Sequence, residues 1–299
     1  MIKLSKLLTE KIESKTLTLK QTKELLTTKY RVAFELFHKD KIFYRGHRTS
    51  LSETYLEVRP SSGERVSVDE SNIYTVLLGY LPSWRGYPKR SHSLIMSNSI
   101  SIAKEYGKSN VMIVFPENDA QIVVSESRDV LSSFAFPKLA DLGIQISDIG
   151  LLDDILETLN PDDGPIARYK RSPSNLSPKD YRLFMDDLQK KTTPQTIVAL
   201  MRKLKNKQLV ARREATQNGM YRILLAFLKT RKQHGWNWEK FLDWIFNPEL
   251  NRFKLLPVDH VFGNIGINSY EMWTDADCLL ASNYKDFDLD EFAKEVFTK

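Results

Sequence analysis

Residues 93–107, SLIMSNSISIAKEYG, change texture half-way along. Ser93–Ser97 is a short apolar run of the kind that forms a strand. Ile100–Gly107 has helical spacing and a glycine at its end, so it is expected to be a short helix closed by Gly107. The Ser97-Asn98-Ser99 triplet sits at the join. A serine there caps the helix, or orients a second polar group across a cleft. This strand–helix step lies in a chain that reads as helices, then strands, then a helical block, then a strand again, an order that gives the α+β class. Upstream IFYRG (42–46) and NIYTVLLGY (72–80), and downstream VMIVF (111–115) and AQIVVS (120–125), are apolar runs broken by Gly, Pro, Asn and Asp, and all are expected to be strands.

Outside this strand-rich part the pattern is helical. Residues 4–13 and 18–39 are expected to be helices; in the second, Leu25, Leu26, Tyr30, Ala33, Phe34 and Phe37 recur at spacings of three and four. Helical spacing returns in ISDIGLLDDILETL, near 178–191, 194–213 and 219–233, and in WNWEKFLDWIF before Pro248. A glycine-bearing loop, VFGNIGINSY, then leads to a strand-like EMWTDADCLLAS and a short final helix. A strand arriving after some hundred helical residues implies an insertion. The expected organisation is therefore N-terminal helices over 1–40, the first part of a mixed sheet core over 41–142, a basic helical insertion over 143–254, and the rest of the core over 255–299. Residues near 42–46, 93–97, 111–125 and 271–280 should share one sheet.

Composition narrows the classes. The chain has 299 residues, 41% of them hydrophobic and 27% charged, which excludes a disordered or fibrous protein. No apolar run reaches the length a membrane span needs, and no partner membrane is expected. The single cysteine, Cys278, allows no intrachain disulfide; it lies in an apolar run and is expected in the core, and its solitude suits a reducing, cytoplasmic setting. From Arg168 to Lys232 there are 17 Lys and Arg against 4 Asp and Glu, a net of +13, which leaves −7 for the rest of a chain whose net charge is +6. Such asymmetry suits a polyanionic partner, or else a solvated helical surface.

Three stretches carry candidate chemistry. In IFYRGHR the apolar strand ends on Arg45 before a glycine; the guanidinium is either an ordinary surface charge or a bidentate grip for a phosphate. The second stretch is the Ser97–Ser99 triplet. In the third, Glu271 opens a strand directly after a loop containing Asn268, Ser269 and Tyr270, a position well suited to a catalytic carboxylate as well as to an ordinary polar strand entry. Glu126, in VVSESRD, also follows an apolar strand and is its rival. There is no CxxC, HExxH, EF-hand, Walker A or GxGxxG spacing.

In this order the three stretches resemble the arginine–serine–glutamate motifs of the ADP-ribosyltransferase family, including members carried by bacteriophages and bacteria. YRG (44–46) looks like the family's first strand, SLIMSNSISIAKEYG like its Ser-Thr-Ser strand and following helix, and SYE (269–271) is similar to its Gln/Glu-x-Glu. Asn98 stands where the family has threonine, and Ser269 where it has Gln or Glu. The resemblance implies an ADP-ribosyltransferase-like core that uses NAD as substrate, needs no metal, and moves ADP-ribose to an acceptor. It implies Arg45 on the pyrophosphate, with Tyr44, Gly46, Ser97, Asn98 and Tyr106 around the cofactor. Ser97 and Ser99 would orient the ribose and the glutamate, and Glu271 would stabilise the oxocarbenium-like ribose. Asn268 and Tyr270 would face the acceptor.

The basic block suggests what that acceptor is. Arg202, Lys203, Lys205 and Lys207, with Arg212 and Arg213, lie in one expected helix or helix pair, and Tyr169, Tyr181, Tyr221, Trp236 and Trp238 lie near or beyond it. Phosphates supply affinity and aromatic rings stack on bases, so nucleic acid is favoured over a protein acceptor. Family resemblance extends to conflict-system toxins, some held by an inhibitory antitoxin protein. The other classes to weigh are an NAD glycohydrolase, with water as acceptor, and a non-catalytic nucleic-acid-binding or virion protein.

Overall fold

In the computed structural model, the described residues are 13–47, 55–60, 72–107, 110–134, 139–159, 178–205, 214–266, 268 and 270–283. The expected helix over 4–13 and the final helix lie almost wholly outside them, as do the loop over 160–177 and Lys207, Arg212 and Arg213. The chain divides into two compact units. One comprises Met1–Arg65, Tyr87–Val130 and Phe253–Lys299; the other comprises Val66–Gly86 and Leu131–Arg252.

The first unit holds a nine-stranded sheet. In chain order its elements are β1 (Glu13–Thr16), α1 (Leu19–Thr27), α2 (Arg31–Phe37), β2 (Phe43–Gly46), β3 (Tyr55–Arg59), β4 (Leu94–Ser97), α4 (Ile100–Gly107), β5 (Val111–Pro116), β6 (Gln121–Val124), β7 (Lys254–Pro257), a short α12 (Val261–Asn264), β8 (Glu271–Thr274) and β9 (Cys278–Asn283). The strand order is β1-β3-β9-β5-β2-β4-β8-β6-β7. The expectation of a mixed sheet is corrected: the ladders are antiparallel throughout the described residues. The α+β class stands, with the strands at 43–46, 94–97, 111–116 and 271–274 in one sheet.

Local chemistry explains the element ends. Thr18 caps α1 through a capping box with Gln21, whose amide donates to Thr18 Oγ1 at 3.3 Å. The single expected helix over 18–39 is two, broken at Thr28–Tyr30; Lys29 leaves the helix there to reach Asp277 at 2.7 Å and Glu57 at 3.1 Å. All six residues of β5 are buried, so this strand is covered on both faces, which is why it is a continuous apolar run. Phe34 and Phe37 of α2 pack on Phe115. EMWTDADCLLAS is two strands, not one: Ala276 N donates to Thr274 Oγ1 at the turn between them, and β8 and β9 go to different places in the sheet. Cys278 is fully buried, and burial pushes its thiol above the ordinary value.

The second unit is helical: α3 (Asn72–Tyr80), α5 (Val130–Ser133, whose first residue belongs to the sheet unit), α6 (Ile146–Ile149), α7 (Leu152–Leu159), α8 (Pro178–Lys191), α9 (Pro194–Lys205), α10 (Glu214–His234) and α11 (Trp238–Ile245). The expected strand NIYTVLLGY is helix α3. Its Ile, Tyr, Thr and Val favour strands, but Tyr74, Thr75, Leu77 and Leu78 are all buried on it, and a helix this rich in apolar residues shows no clear polar face in its sequence. Trp238 stacks on Phe227 at 4.0 Å, Phe134 meets Phe246 edge-on at 4.8 Å, and Trp84 Nε1 donates to Phe246 O. Gly219 lets α10 pass Leu151 and Asp148, and Arg222 closes the crossing on Asp148 through Nε at 2.8 Å and Nη2 at 2.6 Å.

Among the described residues, no helix is long and apolar enough to cross a membrane, and no cluster of three or more His, Cys, Asp or Glu could hold a metal ion.

Candidate active site

The middle of the sheet brings several of the sequence-selected residues together. Tyr44 on β2 is in register with Ser97 on β4, and Ser97 is in register with Glu271 on β8. Directly opposed residues on neighbouring strands project to the same face, so Tyr44, Ser97 and Glu271 form a row. Burial, with a minor part from Asp40, raises the Tyr44 hydroxyl above its ordinary value. Ser97 is buried, and its Oγ accepts from Ser99 N at 3.2 Å, a local turn that ends β4 and starts α4. Ser99 Oγ bonds Ser101 Oγ at 2.8 Å and points to the helix, not to the row.

Asn98 holds the loop ahead of Glu271. Its Nδ2 donates to Asn268 O and its Oδ1 accepts from Tyr270 N, both at 2.9 Å. Tyr270 is itself buried, and its hydroxyl accepts from Gly266 N at 3.2 Å. Asn98 is thus a two-point clamp on backbone, and Tyr270, expected to face an acceptor, packs inward.

Glu271 is 4% exposed and has a partner the sequence did not single out. Arg90, equally buried, donates Nε at 3.0 Å and Nη2 at 2.8 Å, both to Oε1. Oε2 accepts only Val130 N, at 3.3 Å, so it is the oxygen with bonding capacity to spare. The segment bearing Arg90 is fastened to β8 a second time, where Trp273 Nε1 donates to Pro88 O at 3.0 Å. A basic residue just before a Ser-x-Ser strand was the available signal, but it is indistinguishable in sequence from Lys89 beside it. Asp275, at the far end of β8, is raised above the ordinary carboxylate value by burial, partly offset by His92.

The rival carboxylate is not remote. Ser125 N donates to Glu271 O, and Glu271 N donates to Ser127 O, each at 3.0 Å; Ser125 Oγ adds a bond to the same Glu271 carbonyl. Glu126 therefore sits between two residues that bracket the backbone of Glu271, but it is half-exposed where Glu271 is sealed.

Three expectations are redirected. Arg45 is 9% exposed, and its Nη1 donates to Ile95 O at 2.8 Å. Alternation along a strand sends it to the opposite side of β2 from Tyr44. Because β2 and β4 share one registered pair, Tyr44–Ser97, Arg45 supplies a strand-to-strand bond where the ladder stops, and it does not join Ser97 and Glu271. Gly46 does not leave room for a ligand: a Cβ there would lie 2.0 Å from Ala103 O and 2.5 Å from Gly107 N, so the missing side chain is filled by α4. Gly107 answers it, with its own Cβ position 2.6 Å from Gly46 Cα. Tyr106, on that same last turn, is 46% exposed.

The described basic residues of the block lie in the helical unit, and they do not form one patch. Arg231 Nη1 donates to Thr192 O at 3.2 Å, just before α9 begins, so α9 and α10 run antiparallel. Arg202, Lys203 and Lys205 at the end of α9 are then about 15 Å along the helix axis from the Arg231 end. Of the aromatics expected nearby, Tyr181 and Trp238 are core. Compared with protein-family models, curated proteins and solved structures, the chain matches none.

Proposed function

We propose that the sheet unit cleaves NAD between nicotinamide and ribose and passes ADP-ribose to a macromolecular acceptor, nucleic acid in preference to protein. The observation that carries this reading is the register Ser97–Glu271 on adjacent central strands, with α4 leaving from the serine side and a clamped loop entering on the glutamate side. In the reaction the C1′–N bond breaks and nicotinamide leaves with the electron pair. The ribose becomes oxocarbenium-like, and the acceptor's nucleophile forms the new bond as its proton passes to a base. Glu271 Oε2 stabilises the positive ribose, while Arg90 fixes the carboxylate through Oε1. Such a preorganised charge is worth several kcal/mol only because it does not have to reorient. Half-exposed Glu126 is the base for the acceptor proton. Arg45 braces β2 against β4 beside Ser97 rather than gripping phosphate.

The test is incubation with labelled NAD, alone and then with RNA, DNA or protein extract. Nicotinamide release with label on the macromolecule is the expected result; release without transfer makes the protein a glycohydrolase, and NAD left intact under all conditions overturns the reading. Within an active enzyme, Glu126→Gln should depress transfer more than NAD hydrolysis, while Glu271→Gln, with its fold checked, should depress both. The burial of Glu271 against Arg90 specifically favours one second reading, in which the pair is a structural pin and the sheet a non-catalytic scaffold. NAD left intact would select it.

A further inference from the structure

The α10–α11 turn of the helical unit carries exposed rings among exposed cations. α10 ends because Gly235 takes a left-handed conformation (φ 67°), its amide donating to Arg231 O at 3.0 Å. Asn237 then caps α11 by accepting from Lys240 N at 2.9 Å. This tight turn splits the neighbouring tryptophans. Trp238 goes into the core, and Trp236 stays half-exposed beside two other rings. His234 lies 5.3 Å from Trp236, and Trp236 lies 5.9 Å from Trp244.

Cations surround this row. Lys229 and Lys232 are exposed at i, i+3 on α10, and Lys240 is exposed four residues before Trp244, on the same side of α11. The Arg231–Thr192 bond brings the end of α8, with exposed Lys190, to the same end of the bundle. Of the acids on α11, Asp243 Oδ1 accepts from Ser83 N at 2.9 Å, and half-exposed Glu239 lies near buried Tyr181. Among the described residues, Asp186 and Asp187 lie near the end of α8, and Asp187 pairs with Lys191.

We infer that this end of the helical unit binds single-stranded nucleic acid, with bases stacking on Trp236 and Trp244 and phosphates lying along Lys229, Lys232 and Lys240. Half-exposed indoles give faces that every base can use, and the flanking lysines give the salt-dependent term. A duplex hides its base faces and gains only the second. The inference names a docking face for the acceptor within the proposed transfer reaction, and it places that face at the Trp236 end rather than at Arg202, Lys203 and Lys205.

The experiment titrates the full chain with oligothymidylate in the absence of NAD, following tryptophan fluorescence. Quenching is expected, because Trp236 and Trp244 are accessible while Trp84, Trp238 and Trp273 are buried. Trp236→Ala should weaken binding about tenfold. Lys229→Gln with Lys232→Gln, both on exposed sites that folding does not depend on, should cut the log–log salt slope by roughly 1.4. Changing Arg202, Lys203 and Lys205 together to Gln should leave affinity and slope unchanged. Equal affinity for a duplex of the same length, absence of quenching, or a larger loss from the Arg202 end would each overturn the inference. A chain that binds the oligomer without ever consuming NAD keeps this docking face and loses the transferase reading; one that turns over NAD without binding does the reverse.

Discussion

Replacing Arg90 by Met tests whether Glu271 is held as the structure has it. The guanidinium supplies two of the three hydrogen bonds to the carboxylate, and the two residues are each 4% exposed. Without it, Glu271 keeps only the Val130 amide at 3.3 Å. Breaking a buried pair on one side costs about 3–5 kcal/mol, because an unpaired charge is left behind. An exposed pair would cost less than about 1 kcal/mol. The double change Arg90→Met with Glu271→Leu removes both charges and should recover most of the loss, since apolar replacement of a whole buried pair is often neutral. Urea unfolding of the four proteins gives the cycle, but two units need not unfold together. Trp273 is the one tryptophan of the sheet unit, the others falling in 66–86 and 131–252. A fluorine label on tryptophan therefore gives this unit its own resonance, two residues from Glu271. An Arg90→Met cost below about 1 kcal/mol, or a double variant no better than the sum of the singles, would refute a sealed pair.

Gly46→Ala should destabilise the sheet unit by at least about 2 kcal/mol, because the new methyl meets backbone of α4 that has no rotamer to yield; urea midpoints read it. Lys29→Met should move acid unfolding to higher pH. Burial alone would raise Glu57, but hydrogen bonds from Tyr30 and Lys29 outweigh it and hold the carboxyl below its ordinary value. That stability is present above the unfolded carboxylate value and is lost as pH falls through the folded one. Tm against pH checks it, and an unmoved acid limb would remove Lys29 from the network. Asn98→Ala should cost about 1–2 kcal/mol for its two bonds and speed proteolysis at 264–269; unchanged cleavage would mean that the loop is held elsewhere.

Strands with a polar end were legible in the sequence, and so was the strand–helix unit around Ser97, because alternation, glycine and turn residues mark them locally. α3 was not: its residues have strand propensity, and its burial is set by helices distant in sequence. That Ser97 and Glu271 belong to one sheet was expected from the strand pattern, and their nearness only from the motif resemblance, whereas Arg90 against Glu271 is a contact across 181 positions that no local pattern encodes. Arg45 and Gly46 look the same in sequence whether they meet a phosphate or the backbone of the protein itself. Only the register of β2, one residue either way, decides between them. The basic block was counted correctly as charge, but a tally along the chain cannot see that an antiparallel helix pair sends its two ends apart.

Asn98 grips the loop before Glu271 through a backbone carbonyl at 268, which every residue type possesses, and a backbone amide at 270, which every residue but proline possesses. The clamp is therefore indifferent to the side chains it holds. Substitutions at position 268 can change what that loop offers to a visiting molecule without shifting the start of β8. Selection is left free to retune recognition there while the carboxylate three residues further along the chain stays where it was.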